Sequence, residues 1–145
     1  MSKYLFIIIF ILLLAGWFYV YKSHQDRFKT TSKKTLQQTQ NYKDITGDRL
    51  YEMLKNKDFY FVNVHTPYEG EIEKTDAFIP YDEIENNLNK LPKDKNARVV
   101  LYCRSGRMSA EASQKLADLC YTNILNLFLG MHDWQSKGYR LKNAK

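Results

Sequence analysis

A cysteine works as a nucleophile in its thiolate form, which is favoured where fixed positive charge and unpaired N–H groups surround it. The sequence offers such surroundings at Cys103. This residue directly follows the apolar run Arg98–Tyr102 (RVVLY), and Arg104, Ser105, Gly106, Arg107, Met108 and Ser109 come next, where a helical pattern begins. A loop that feeds a helix presents the first N–H groups of that helix and the positive end of its dipole. Such a place holds anions. Gly106 permits the backbone to curl so that its amides face inward, and Arg104 and Arg107 add cationic charge. The chemistry that follows is nucleophilic catalysis through sulfur.

The elements that must position this loop can be read on either side of it. Hydrophobic spacing predicts a helix over Ile45–Lys57, with Ile45, Leu50, Met53 and Leu54 on one face and Thr46 as its N-cap. Phe59–Val64 (FYFVNV) reads as a strand, and Pro67 and Gly70 mark a loop. A short helix is expected over Asp82–Leu88, a strand over Arg98–Tyr102, and a helix over Ser109–Leu119 with Ala112, Leu116 and Leu119 on one side. Ile124–Leu127 is a third strand, and Gly130–Lys137 a last helix closed by Gly138. Strands alternating with helices predict an α/β fold: a parallel sheet flanked by helices on both faces. The carboxyl edge of such a sheet is where ligands bind, and Cys103 lies at that edge.

The N-terminal segment has a different character. Tyr4 to Tyr21 is uncharged and strongly apolar, with aromatics near both ends. As a helix, its eighteen residues reach about 27 Å, enough for a bilayer core. We read residues 1–21 as one transmembrane anchor; a cleaved signal is the competing reading, but Trp17, Phe18, Tyr19 and Tyr21 obstruct the small-residue cleavage pattern. Residues 22–44 read as a polar, basic tether, and residues 45–145 as the folded domain. The lysines and arginine after the apolar run favour an internal domain; the very short flank before it favours an external one. We read the domain as extracytoplasmic, on a single-pass membrane protein.

Composition narrows the function further. The chain has 145 residues and a formal charge of +6. Residues 1–44 carry seven Lys or Arg against two Asp or Glu, whereas residues 45–145 carry fifteen against fourteen. The folded part is therefore nearly neutral, which argues against nucleic acid as a partner. Two cysteines, Cys103 and Cys120, cannot build a disulfide scaffold or a four-cysteine zinc site. The helix between them spans about 16 Å, well beyond the ~7 Å that a disulfide allows.

Cys103-Arg104-Ser105-Gly106-Arg107-Met108-Ser109, after VVLY, resembles the active-site loop of the rhodanese (sulfurtransferase) family. FVNVHTPYE at 61–69 resembles the family's first motif, and YTNILNL followed by Gly130-Met131 and Trp134 its closing strand and helix. The likeness runs from about Ile45 to Leu141. It implies a rhodanese-like fold and a ping-pong reaction. In it Cys103 takes sulfane sulfur from thiosulfate or another donor and yields it to a thiol or cyanide. Arg104, Ser105, Gly106, Arg107, Met108, Ser109 and His65 would bind substrate, with no metal and no cofactor. Phosphatase relatives of the family place an arginine at the position Ser109 holds here, so phosphoryl transfer is not expected.

The chain departs from the family pattern in places. Asn63 and His65 stand where an aspartate and an arginine are usual, and Cys120 where glycine is frequent. The usual Gly-His-Ile stretch gives way to residues 69–76, which hold Glu69, Glu71, Glu73 and Asp76. An acidic loop there is either solvated or repels a dianionic donor. These departures sustain an alternative: a membrane-tethered binding or sulfur-carrier module without turnover.

Overall fold

The computed structural model of the chain describes residues 12, 14, 16–22 and 41–144. Contacts divide the chain into two units, Met1–Thr39 and Gln40–Lys145. In the first, residues 12, 14 and 16–22 are helical and exposed, and the rings of Trp17 and Tyr21 stack with centroids 5.9 Å apart. Among the described residues, no helix is long and apolar enough to cross a membrane. Positions 4–11, 13 and 15 of the expected span, and 23–40 of the expected tether, lie outside the described residues.

The second unit carries the expected α/β architecture. Its elements are β1 (Lys43–Ile45), α1 (Gly47–Lys55), β2 (Tyr60–Asn63), β3 (Ala77–Phe78), a 3-10 helix (Ile84–Lys90), β4 (Val99–Tyr102), α2 (Arg107–Asp118), β5 (Ile124–Leu127) and α3 (Gly130–Ser136). The strands form one sheet in the order β1-β5-β4-β2-β3, and every neighbouring pair is parallel.

Strand alternation sends successive side chains to opposite faces. Val62, Val99 and Leu101 pack with Ala112 and Leu116 of α2 and Ile84 of the 3-10 helix. Phe61, Val100 and Tyr102 pack on the other face with Leu50 and Leu54 of α1 and Met131 and Trp134 of α3. A sheet covered on both sides needs continuous rather than alternating apolar strands, which is why VVLY reads as an unbroken run.

Thr46 caps α1 as expected, its hydroxyl accepting the Arg49 N–H at 3.3 Å. Ile45 departs from expectation. It lies in β1, paired with Leu127, and not on the face of α1. The sequence KDI has no strand signature; pairing with β5 and the hydrogen bond from Asn126 to Asp44 (2.8 Å) create the strand. The fold thus takes in the last residues of the expected tether.

Helix α2 ends in a Schellman motif. The Cys120 N–H bonds the Ala117 carbonyl at 2.9 Å and the Tyr121 N–H bonds that of Leu116 at 3.0 Å. Tyr121 and Leu116 share the core on that side. Cys120 occupies the left-handed position, at φ +68°, where glycine is the unstrained residue. It is free and exposed, whereas Cys103 is free and buried. Replacing Cys120→Gly should therefore raise stability by roughly 0.5–1 kcal/mol, read as a higher urea midpoint; an unchanged or lower midpoint would refute the strain.

Candidate active site

Alternation along β4 places Cys103 on the same side as Val99 and Leu101, beneath the start of α2. The residue is 1% exposed. Its Sγ accepts the Gly106 N–H at 3.1 Å and lies 3.5 Å from the Ser109 hydroxyl. That hydroxyl is also 3.2 Å from the Gly106 carbonyl, and its single proton serves one acceptor at a time. Gly106 is the N-cap of α2, at φ +90°, with no side chain to satisfy the first turn. Among the described residues, the N–H groups of Arg107, Met108 and Ser109 have no backbone acceptor. One amide thus points at sulfur and a helix N-terminus stands behind it, an arrangement that stabilises negative charge there.

The loop is held from outside by residues that the sequence did not mark as part of the site. The Met131 N–H bonds the Cys103 carbonyl at 2.9 Å, and the His132 N–H bonds that of Arg104 at 3.0 Å. Gly130, at φ +58°, makes this approach possible: a Cβ there would lie 2.1 Å from the Cys103 oxygen. A Cβ on Gly106 would lie 2.9 Å from the Leu129 nitrogen. The two glycines let the Cys103 loop and the β5–α3 turn interlock backbone to backbone. A glycine three positions after the last strand, opening α3, was the available signal.

Cys103, Gly106 and Ser109 are therefore together, and among the described residues no other side chain of the loop hydrogen-bonds Sγ. Ser105 is exposed, and Met108 is half-buried against the α2 side of the core. The arginines are not bare charges. Arg104 donates to Glu69 at 3.2 Å and to His132 Nε2 at 3.1 Å. Arg107 pairs with Glu111 at 3.7 Å and lies over the Tyr81 ring.

His65 follows β2 at the same sheet edge and is buried. Its Nε2 is 3.2 Å from Glu69 Oε2 but lacks hydrogen-bond alignment, and Nδ1 has no partner either among the described residues. Asn63, also buried, shapes the loop between them. Its Nδ2 donates to the Gly70 carbonyl at 3.0 Å, and its Oδ1 accepts the His65 N–H at 3.0 Å. One amide thus supplies a donor and an acceptor together, which a carboxylate cannot do. Tyr102 clamps the far end of the loop: its hydroxyl accepts the Ile72 N–H at 3.0 Å and lies 2.7 Å from the Thr75 hydroxyl. Burial pushes the Tyr102 phenol well above its ordinary value, so it serves as a neutral hydrogen-bonding group.

The acidic stretch does not act as a unit. Glu73 pairs with Lys142, and Asp76 accepts from Lys57 and from the Phe61 N–H. Glu69 alone among the four acids is paired with a residue of the Cys103 loop. Among the described residues, no cluster of His, Cys, Asp and Glu is placed to hold a metal ion.

Comparison with known proteins agrees with this geometry. The rhodanese-like domain profile matches residues 46–137. A sulfurtransferase of Allochromatium vinosum is 34% identical over 100 residues, covering 66% of this chain and 90% of that protein. The thiosulfate sulfurtransferase PspE of Escherichia coli is 30% identical over 69 residues, 46% of this chain and 66% of that protein. The crystal structure of a rhodanese-like domain protein from Staphylococcus aureus superposes with a TM-score of 0.58 at 31% identity, covering 70% of this chain and 99% of that one. A rhodanese-related protein of Thermoplasma volcanium gives 0.59 at 27% identity, covering 69% and 97%. The chain belongs to the rhodanese-like domain family.

The interlock predicts that Gly130→Ala lowers stability by about 1–3 kcal/mol and slows reaction of Cys103 with sulfur donors, because the new methyl displaces the Cys103 carbonyl. Urea unfolding and donor loading check this; a variant equal to the parent in both would refute the interlock.

Proposed function

We propose that this chain is a membrane-anchored sulfurtransferase that moves sulfane sulfur from thiosulfate or a persulfide donor to a thiol or cyanide, through a persulfide on Cys103. The observation that carries the reading is the Gly106 N–H aimed at Cys103 Sγ, 3.1 Å away, at the N-terminus of α2. Likeness to named sulfurtransferases supports the same chemistry.

In the first half-reaction the Cys103 thiolate attacks the outer sulfur of the donor. A bond forms between Sγ and that sulfur, the bond to the carrier breaks, and the carrier leaves with the electron pair, as sulfite when thiosulfate is the donor. In the second, the acceptor attacks the sulfur held on Cys103. The new bond joins acceptor and sulfur, the S–S bond breaks, and its electron pair returns to Sγ; cyanide leaves as thiocyanate and a thiolate as a persulfide. No external oxidant or reductant enters. The Gly106 amide stabilises charge on Sγ in the resting state. The open amides of Arg107, Met108 and Ser109 stand ready for the outer sulfur, about 2 Å further out.

The test uses thiosulfate and cyanide, with thiocyanate as product and mass spectrometry of the protein. Cys103 should gain the mass of one sulfur atom, and Cys103→Ser should lose both adduct and thiocyanate. No adduct from thiosulfate or any persulfide donor would overturn the proposal. Burial of Cys103 favours one second reading, a sulfur carrier without turnover; an adduct that forms but yields no thiocyanate selects it.

The anchor is proposed from the uncharged run at 4–21 and supported by the exposed aromatic helix at 16–22. The protein should remain in membranes after a high-salt, high-pH wash, and protease added to intact cells or spheroplasts should cut the 22–44 segment. Release into the wash would overturn the anchor, and protection until lysis the extracytoplasmic placement.

A further inference from the structure

We infer that Glu69 is a specificity-determining residue: it binds the Arg104 guanidinium beside the Cys103 loop, and so disfavours dianionic sulfur donors relative to monoanionic ones. The inference rests on the sulfurtransferase reading and names which donors that site prefers.

Arg104 follows Cys103 in the chain, and its charge is the one nearest in sequence to the nucleophile. An unpaired guanidinium there would draw a dianion such as thiosulfate. The structure instead commits it on two sides. Its Nη1 donates to Glu69 at 3.2 Å and its Nε to the His132 ring at 3.1 Å. The three side chains line one cleft of about 420 Å³ with Tyr68 and Gln135. The second oxygen of Glu69 lies 3.2 Å from His65 Nε2.

The second arginine of the loop, Arg107, is engaged as well, with Glu111 at 3.7 Å and the Tyr81 ring beneath its guanidinium. Each arginine of the loop thus has a carboxylate beside it. Glu73 and Asp76 pair with lysines, and Glu69 is the acid of the 69–76 loop that pairs with Arg104, so the effect is assigned to Glu69. Under these conditions a donor with one negative charge meets half the repulsion from Glu69 that a donor with two meets.

The experiment compares thiosulfate, a dianion, with methanethiosulfonate, a monoanion that also yields its outer sulfur from a sulfonyl group. Both are measured with the full chain at saturating cyanide. Glu69→Gln should lower KM for thiosulfate by about three- to tenfold. For methanethiosulfonate the drop should be only about the square root of that factor, and kcat should change by less than about twofold for either donor. Glu69→Asp, which keeps the charge, should stay near the parent, a result that mere loss of packing would not give. The difference between parent and Glu69→Gln should shrink as salt rises from about 50 mM to about 500 mM.

A wild-type measurement stands beside the variants should Glu69→Gln fold poorly. KM for thiosulfate should stay nearly flat across the same salt range, whereas an unpaired arginine would make it climb steeply. Equal KM shifts for the two donors, a thiosulfate KM that does not fall in Glu69→Gln, or a steep wild-type salt dependence would each overturn the assignment. In all three cases sulfur still loads onto Cys103 and the transferase reading stands. Failure of both donors to load sulfur would remove the reaction itself, and the role of Glu69 with it.

Discussion

A backbone amide can be pointed at a sulfur atom only if the carbonyls of the same short loop have partners elsewhere. This constraint organises the domain around Cys103. The carbonyls of Cys103 and Arg104 are taken by the first amides of α3. Gly106 turns through a left-handed conformation, and its N–H is left to face Sγ. The approach that permits this is so close that neither Gly106 nor Gly130 can carry a side chain. Strand β5 and the helix after it thus form the mould in which the nucleophile's loop is cast.

Polar contacts of the same kind hold the opposite wall. The segment from 64 to 76 contains little regular structure, so its backbone groups need partners. Asn63 and Tyr102 provide partners from the ends of β2 and β4, and Asp76, the last residue of the segment, ties it back to β2 by accepting the Phe61 N–H. Two of the three are fully buried, where an unpaired polar group costs most. The backbone on the C-terminal side of Glu69 is accordingly tied to the sheet at Gly70 and Ile72.

Much of this was legible in the sequence. VVLY, the Thr46 cap and the apolar spacing of Ala112 and Leu116 each state a local preference that the fold obeys, and a cysteine between such a strand and helix can occupy only one edge of a parallel sheet. What stayed hidden depends on contacts across the chain. Lys43–Ile45 becomes a strand because β5 offers it an edge, and the two-residue β3 exists through its pairing with β2. Likewise, two arginines near a cysteine announce positive charge, but Glu69 is 35 positions from Arg104, and only folding shows that they meet. Gly130 is 27 positions from Cys103, and no spacing rule links them.

The short outer strands have a consequence for how copies of the domain behave when crowded. A parallel sheet ends in two rows of unpaired backbone groups that can template growth with a neighbouring molecule. Here one border is three residues long and carries Lys43 and Asp44, and the other is two residues long. The three interior strands, β5, β4 and β2, are largely buried and apolar, and they are shielded by borders too brief to recruit a foreign strand. The domain can therefore keep an apolar centre without exposing a seam along which molecules could polymerise.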